Sequence, residues 1–453
     1  MNGSGNTIAK NALALFSTQI ITWLLSLVLT MITPRYLGPH GFGILAIVLS
    51  IWAFANVIGA WGIDTFLIKS VARNPVHTAT LVGTALWVRT VLFAAAAVLV
   101  GIYLVFQHYS SEILSLTIVI GISVLLNLYA NTFYSALQGL ELMSKSALIT
   151  IYNKVLNTFG GLAVLAIGLG AYGLGWVMVA ASLLSVIGNG YFLYRSGHLS
   201  VQDRVITGPA MIYASTPYLL TGLVLVAYGR IDVLIMANLI DTTTIGWYSA
   251  AMTLYGTLLF VPPILASAIF PAITRSYRQD TERLRSLISK GFDLTLLIAV
   301  PTGLGLIVVS DSIAVLLFGE AFAPSGQILK LMGIVLIFMY QNIVMGQFMV
   351  SIDRQNTWTI LILIGIGLTI SLDIIMIPWF QIHYGMVRWE QRVAILSPKD
   401  LCFSPGLCCY QEGCLPALIS GTAVVLVLPA SSCSWLAGGH ANYLLPYRLS
   451  SVR

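Results

Sequence analysis

Residues 11–33 read NALALFSTQIITWLLSLVLTMIT, an uncharged, largely apolar run bounded by Lys10 and Arg35. About 20 such residues in a helix cross the hydrocarbon core of a bilayer, so the run predicts a membrane-spanning helix. The residues that follow, PRYLGPHGFG over 34–43, form a turn, because Gly38-Pro39 breaks a helix readily. A second apolar run over 41–63 comes next. The same pattern recurs at roughly 80–106, 113–137, 146–169, 172–194, 210–237, 244–271, 286–309, 325–350 and 357–380, eleven spans joined by short loops.

Composition agrees with this reading. Of 453 residues, 58% are hydrophobic and only 8% charged, with a mean hydropathy of +0.91. A soluble domain carries about 25% charged residues, so this chain cannot cover a water-facing surface of its size. The net charge of +6 comes from cations scattered through loops, with no basic stripe interleaved with aromatics, and nucleic acid is not an expected partner. The first run is too long for a signal-peptide core and lacks a small-residue cleavage pattern, so it reads as an uncleaved first span.

The cations orient the chain. With the N-terminus inside, the cytoplasmic loops hold Lys69 and Arg73, then Lys145, then Arg195 and Arg204, then Arg275, Arg278, Arg283, Arg285 and Lys290, and finally Arg354. The other loops carry chiefly Glu112, Asp311 and Glu320. An excess of Lys and Arg marks the cytoplasmic side, which gives a multi-pass protein with a cytoplasmic N-terminus. Thr274–Lys290, with Leu284, Leu287 and Ile288 on one face, reads as an interfacial helix.

A weak internal repeat divides the spans. Tyr36-Leu37-Gly38-Pro39-His40-Gly41-Phe42-Gly43 and Leu239-Ile240-Asp241-Thr242-Thr243-Thr244-Ile245-Gly246 lie 203 residues apart, each an apolar pair, a turn and an apolar-Gly helix start. Six spans separate them, so both copies have the same orientation, as in transporters built from parallel repeats. The expected organisation is a six-helix bundle over 1–200, a second bundle of about five helices over 201–385 and an atypical tail over 386–453.

These residues also carry a family resemblance. Asn6-Thr7-Ile8-Ala9-Lys10-Asn11, Arg35-Tyr36-Leu37-Gly38 with Phe42-Gly43, Arg230-Ile231-Asp232, Ile245-Gly246-Trp247-Tyr248-Ser249-Ala250, Phe270-Pro271, and Phe318-Gly319 with Phe322 resemble polysaccharide-biosynthesis (O-antigen-type) oligosaccharide flippases of the multidrug/oligosaccharidyl-lipid/polysaccharide exporter superfamily. The resemblance covers about residues 1–385. It implies an all-α polytopic membrane protein, about eleven transmembrane helices in two pseudo-symmetric bundles around a central cavity with alternating access. It also implies a polyprenyl-diphosphate-linked oligosaccharide as substrate, such as an O-antigen or exopolysaccharide repeat unit, moved across the inner (cytoplasmic) membrane. Expected partners are that substrate, membrane lipids, a proton or sodium ion, and the polymerase and glycosyltransferases of the same pathway.

Moving a diphosphate and a hydrated sugar through hydrocarbon calls for a polar, cationic cavity, because an unpaired charge there costs several kcal/mol. The candidate headgroup ligands are Arg35, Arg89, Lys154 and Arg230; Arg offers a bidentate fork to phosphate and Lys a point charge. Each has an alternative, snorkelling to the interface or pairing with a carboxylate. Asp64, Asp232, Asp293 and Asp373 are candidates for ion coupling, with Asp64 and Asp293 also readable as helix-end residues. Arg230 and Asp232 are two apart, so on a helix they face differently and a mutual salt bridge is not expected. Asn127, Asn131, Gln138, Asn153, Asn157, Gln341 and Asn342 suit either sugar hydroxyls or interhelical hydrogen bonds.

Enzyme chemistry finds no foothold. Gly168-x-Gly170-x-x-Gly173 fits the dinucleotide pattern but lies between two apolar spans with no preceding strand. The histidines lack metal-ligand spacing, and no cofactor or metal is expected. Two other functions remain beside the flippase reading: a cation-coupled multidrug exporter of the same superfamily, whose cavity would be acidic and aromatic, and a polyprenyl-linked glycan polymerase, which would need a sizeable loop with converging carboxylates.

The tail departs from the pattern. All five cysteines lie at Cys402, Cys408, Cys409, Cys414 and Cys433, and Arg388, Glu390 and Arg392 fall where a twelfth span would begin. Read one base earlier, with a CGN codon at Arg388, the codons of Met386–Gln391 give a glycine-containing, small-residue helix start. A single-base frameshift near codon 385 would therefore remove the twelfth helix, leaving only the short apolar run 415–428. In the nucleotide sequence, the alternative frame is expected to run on uninterrupted and apolar; an interrupted or polar frame rules the frameshift out.

Overall fold

The computed structural model describes residues 2–197, 208–277 and 281–383, so the 386–453 tail, where the sequence reading expects a frameshift and the loss of a twelfth span, lies outside the described residues. Every element among the described residues is helical: α1 (Asn2–Ala60), α2 (Ile63–Arg73), α3 (Thr78–Phe106), α4 (Ser111–Gly139), α5 (Met143–Val155), α6 (Gly161–Ala166), α7 (Gly170–Arg195), α8 (Gly208–Leu239), α9 (Thr242–Leu258), α10 (Val261–Ser276), α11 (Thr281–Phe318), α12 (Ala323–Ser351) and α13 (Gln355–His383). Short 3-10 turns precede α3 and α12, and a π-helical turn, Leu156–Gly160, joins α5 to α6.

Ten of these helical stretches are long and apolar enough to cross a membrane. The first, Ile21–Arg73, holds the first two sequence spans as two arms. They part at Gly38, whose φ of 68° and ψ of 172° lie in a region that only glycine enters freely. Pro39 then opens the second arm, where its missing N–H is no loss. A helical hydrogen-bond pattern satisfies the backbone inside hydrocarbon, and the outward faces are apolar, as at Val98, Leu99, Ile102 and Val105 of α3.

Two sequence expectations change. The span 244–271 is two helices, because Pro262 and Pro263 cannot donate the hydrogen bonds that would carry α9 through Leu259-Phe260 into α10. Thr274–Lys290 is not a separate interfacial helix: its start closes α10, residues 278–280 lie outside the described set, and 281–290 open the long α11. The apolar face seen in the sequence is real, since Leu284, Leu287 and Ile288 pack onto Ala266, Ile273, Val344 and Phe348.

Within the first half α4 lies along α7 and α2, and α5 lies between α1 and α7; in the second, α11 packs along α12, and α13 lies against α8. The largest buried cluster bridges the two halves. It joins Ile44, Ile47 and Ile51 of the second arm of α1 to Met236, Ile245, Leu254 and Leu329. Asp241 caps α9 by accepting from the Thr244 N–H (3.0 Å) and hydroxyl (2.6 Å). Partial burial works to raise the Asp241 pKa, but the Thr244 bonds outweigh it and hold the carboxyl below its ordinary value.

Trp52 shows how closely the helices fit. Its indole N–H donates to the Thr117 carbonyl at 2.8 Å, its ring stacks on Phe93 at 5.4 Å, and it lies over Gly121, where a Cβ would collide with the ring. Gly121→Val is therefore expected to destabilise the protein by about 1–3 kcal/mol through overpacking. Thermal unfolding in detergent checks this, with Gly101→Ala, which meets open space, unfolding like the parent.

Candidate transport site

Charged side chains inside spans are costly unless matched, so their partners sort the candidates. Arg89 of α3 is 0% exposed and forms an ion pair with Asp64 of α2 at 2.7 Å. It also donates to the Leu128 carbonyl at 2.5 Å and to the Thr132 hydroxyl at 2.7 Å, both on α4. Ser135 completes the knot by donating to Asp64 at 2.9 Å. One headgroup candidate and one coupling candidate are thus spent on each other, tying three helices together. In this arrangement Arg89 presents no face to a ligand.

The opposite case lies between α8 and α13. Asp373 is 0% exposed, and neither carboxyl oxygen has a hydrogen-bond partner among the described residues. It lies close enough to Asp232 of α8 for the two charges to repel. Asp232 accepts a hydrogen bond from the Tyr248 hydroxyl of α9, while its other oxygen is buried with no hydrogen-bond partner among the described residues. Arg230 lies within electrostatic reach of Asp232 but is exposed, with no salt bridge between the two, in keeping with their spacing. Two carboxyls within electrostatic reach of each other, each with a free oxygen, attract a cation.

The remaining candidates stand apart. Lys154 is half-buried on α5, two residues before the π turn begins at Leu156, with no hydrogen bond or ion pair among the described residues. Such π turns often occur at functional positions. Thr158 within this one bonds the Leu25 carbonyl of α1 at 3.1 Å. Arg35 is exposed at the end of the first arm. Asp293 is exposed and only accepts from Ser289, one turn away, at 3.4 Å. Lys330, at the start of α12, pairs with Asp311.

The amides divide as well. Asn127 bonds Ser182 at 2.7 Å, and Asn153 bonds the Ala181 carbonyl at 2.7 Å and Ser185 at 2.8 Å, so both staple their helices to α7. Asn157 donates to Asn153 at 3.2 Å. Gln341 is buried with both polar atoms unpartnered among the described residues. A small cavity of about 70 Å³ lies between α1, α9 and α11, its wall almost wholly apolar, with Trp23, Leu27, Leu254 and Phe318 among the residues that line it. It is far too small for an oligosaccharide, so the halves stand nearly closed along this line.

Sequence reasoning missed Tyr248 as the partner of Asp232 and Ser135 as the partner of Asp64. Tyr248 did sit within a quoted motif. Several motif residues meet across the fold: Phe42 meets Phe322 edge-on at 6.5 Å, Trp247 bonds the Ala321 carbonyl at 2.9 Å, and Ser325 bonds the Trp247 carbonyl at 2.9 Å.

Broken spans meeting between two sets of helices, with ionisable groups left unmatched inside, are the features of a multi-pass membrane transporter. The chain belongs to the family described as polysaccharide biosynthesis protein, whose model matches residues 32–327. It is 22% identical over 390 residues to the probable flippase AglR of Haloferax volcanii, covering 83% of this chain and 79% of that one. A match to the probable low-salt glycan biosynthesis flippase Agl15 of the same organism is 22% identical and covers 37% of this chain and 36% of that relative. Among solved structures, the fold is similar to an inward-facing multidrug resistance MATE family transporter of the MOP superfamily (TM-score 0.63, 13% identity, 82% of this chain and 89% of that one). It is also similar to the lipid II flippase MurJ in an inward closed conformation (TM-score 0.56, 15% identity, 85% and 84%).

The Arg89 knot makes a direct prediction. Arg89→Leu leaves Asp64 uncompensated and is expected to cost about 2–3 kcal/mol, below the usual range for a broken buried pair because the Asp64 side chain remains 35% exposed. The double variant with Asp64→Asn should recover most of that loss in thermal unfolding, as two partners removed together leave no stranded charge.

Proposed function

We propose that the chain is a flippase carrying a polyprenyl-diphosphate-linked oligosaccharide across the cytoplasmic membrane by alternating access, with its N-terminus in the cytoplasm and transport coupled to a proton or sodium ion. The observation that carries this reading is the set of ionisable groups left unmatched in the spans after Arg89 and Asp64 have neutralised each other. A charge at mid-bilayer costs roughly 2.5–3.5 kcal/mol even on insertion scales, so such groups persist where a function requires them. Family membership and the flippase relatives support a glycan-lipid cargo.

In this scheme Lys154, Arg230 and Arg35 attract the diphosphate, Lys154 at depth. Asp232 and Asp373 take up the coupling cation; Tyr248, bonded to Asp232 on a helix of the interface between halves, links occupancy of that pair to helix position. Asp64 and Asp293 stand outside the coupling site. Pathway polymerases and glycosyltransferases would supply and consume the cargo.

A second reading, a cation-coupled multidrug exporter, is favoured by the same two neighbouring carboxyls and by the fold shared with a multidrug transporter. Proteoliposomes separate the two. Translocation of a polyprenyl-diphosphate oligosaccharide, read by its exposure to an impermeant glycan-modifying reagent, is expected; efflux of ethidium without glycan-lipid movement would favour the exporter. Arg230→Ala and Lys154→Ala should each lower flipping at least tenfold with undiminished folded protein, and unchanged flipping removes that residue from the path. Asp373→Asn should abolish the dependence on an ion gradient, whereas Asp293→Asn should alter transport less than twofold.

A further inference from the structure

The offset of 203 residues that relates the two turn motifs takes Pro39 to Thr242 and Gly43 to Gly246. In the folded chain these four residues meet one another reciprocally. A Cβ added at Gly43 would strike the carbonyl oxygen of Thr242, and one added at Gly246 would strike the carbonyl oxygen of Pro39. Both obstacles are backbone, which no rotamer change can move aside. The second arm of α1 and the start of α9 therefore cross with backbone against backbone, each glycine lying on the other half's turn.

Other contacts between the halves surround this crossing. The His40 imidazole Nδ1 lies 2.6 Å from the Thr242 hydroxyl. Tyr103 and Tyr109 of the first half both donate to the Asn238 amide oxygen of the second, at 3.4 Å each. Below it, Ile47, Val48, Ile245, Ala250 and Ala251 are fully buried. Farther along α9, where it meets the first arm of α1, the packing loosens into the small apolar cavity, beyond which Trp23 and Phe260 touch with ring centroids 4.5 Å apart.

We infer that the reciprocal Gly43–Gly246 crossing is the seal that closes this end of the transporter, and that the two glycines set the balance between its closed and open states. This rests on the alternating-access reading above, which makes this end the outer one. A seal of backbone on backbone holds few long side chains to disengage, so it parts by a rigid shift of one half against the other. Its closeness depends on both positions lacking a Cβ. A methyl group at either props the turns apart and penalises only the closed state, which shifts the population toward the outward-open form. The His40–Thr242 bond joins the same two turns, so it must break when the seal opens.

The test needs a reporter beneath the seal. Ser249, one turn below Gly246, is 8% exposed, and its hydroxyl has no partner among the described residues. In full-length chain with Cys402, Cys408, Cys409, Cys414 and Cys433 replaced by Ser, Ser249→Cys should react slowly with an impermeant maleimide added outside intact cells. Gly43→Ala and Gly246→Ala should each speed that reaction at least tenfold. Gly256→Ala, where a Cβ meets nothing within 4 Å, should leave it at the parent rate. Folded Gly43→Ala and Gly246→Ala proteins that react no faster than Gly256→Ala overturn the inference.

Should the alanine variants fail to fold, a His40→Cys/Thr242→Cys pair decides. Its disulfide is expected to stop flipping until reductant restores it, and a crosslinked protein that flips at full speed overturns the seal. Labelling needs no substrate, so absence of flipping in the parent would refute the flippase reading while the reporter still judges the seal.

Discussion

Hydrocarbon provides no hydrogen-bond partner and almost no dielectric screening, and this constraint organises the molecule. Each polar group within the spans has to find its match inside the protein or remain there at a cost. Arg89 finds Asp64 and α4; Asn127 and Asn153 find α7. These matched groups act as struts, and the first half is correspondingly rich in them. Asp373, the free oxygen of Asp232, Lys154 and Gln341 have no such match among the described residues. The difference separates residues that hold the fold from residues that a moving ion or headgroup can use.

The second constraint is mechanical. A transporter needs rigid bodies and places where they yield, and a helix yields where its ladder is interrupted. The interruptions here are Gly38 in α1, the Pro262-Pro263 break between α9 and α10, and the π turn after Lys154. Two of the three fall on α1 and the α9–α10 pair, along which the halves meet. The π turn falls on the helix bearing the half-buried lysine, and Thr158 in that turn grips α1. At Lys154, charge and flexure therefore fall on the same element.

Much of this was legible in the chain. Length and hydropathy of the apolar runs located the spans, because helix length against bilayer thickness is a one-dimensional problem. The turn motif spaced by 203 residues pointed to duplication. The spacing of Arg230 and Asp232 made a mutual salt bridge unexpected, and the fold has none between them. Less legible was partnership: Arg89 and Asp64 entered as a ligand and a coupling acid, and nothing local reveals that α4 brings Thr132 and Ser135 to the same point. The split of span 244–271 was visible in Pro262-Pro263 but outweighed by continuous hydrophobicity.

Sequence alone determined that this is a helical membrane protein, since bilayer thickness, helix rise and backbone hydrogen bonding leave few alternatives to apolar runs of this length. It also supplied the inventory of intramembrane charges. Only the tertiary structure decided which of those charges neutralise one another and which lie near a like charge, and only it set Gly43 and Gly246 on each other's turns. Pairing energies fall off within a few ångströms, and such distances between residues far apart in the chain are fixed by how the helices pack.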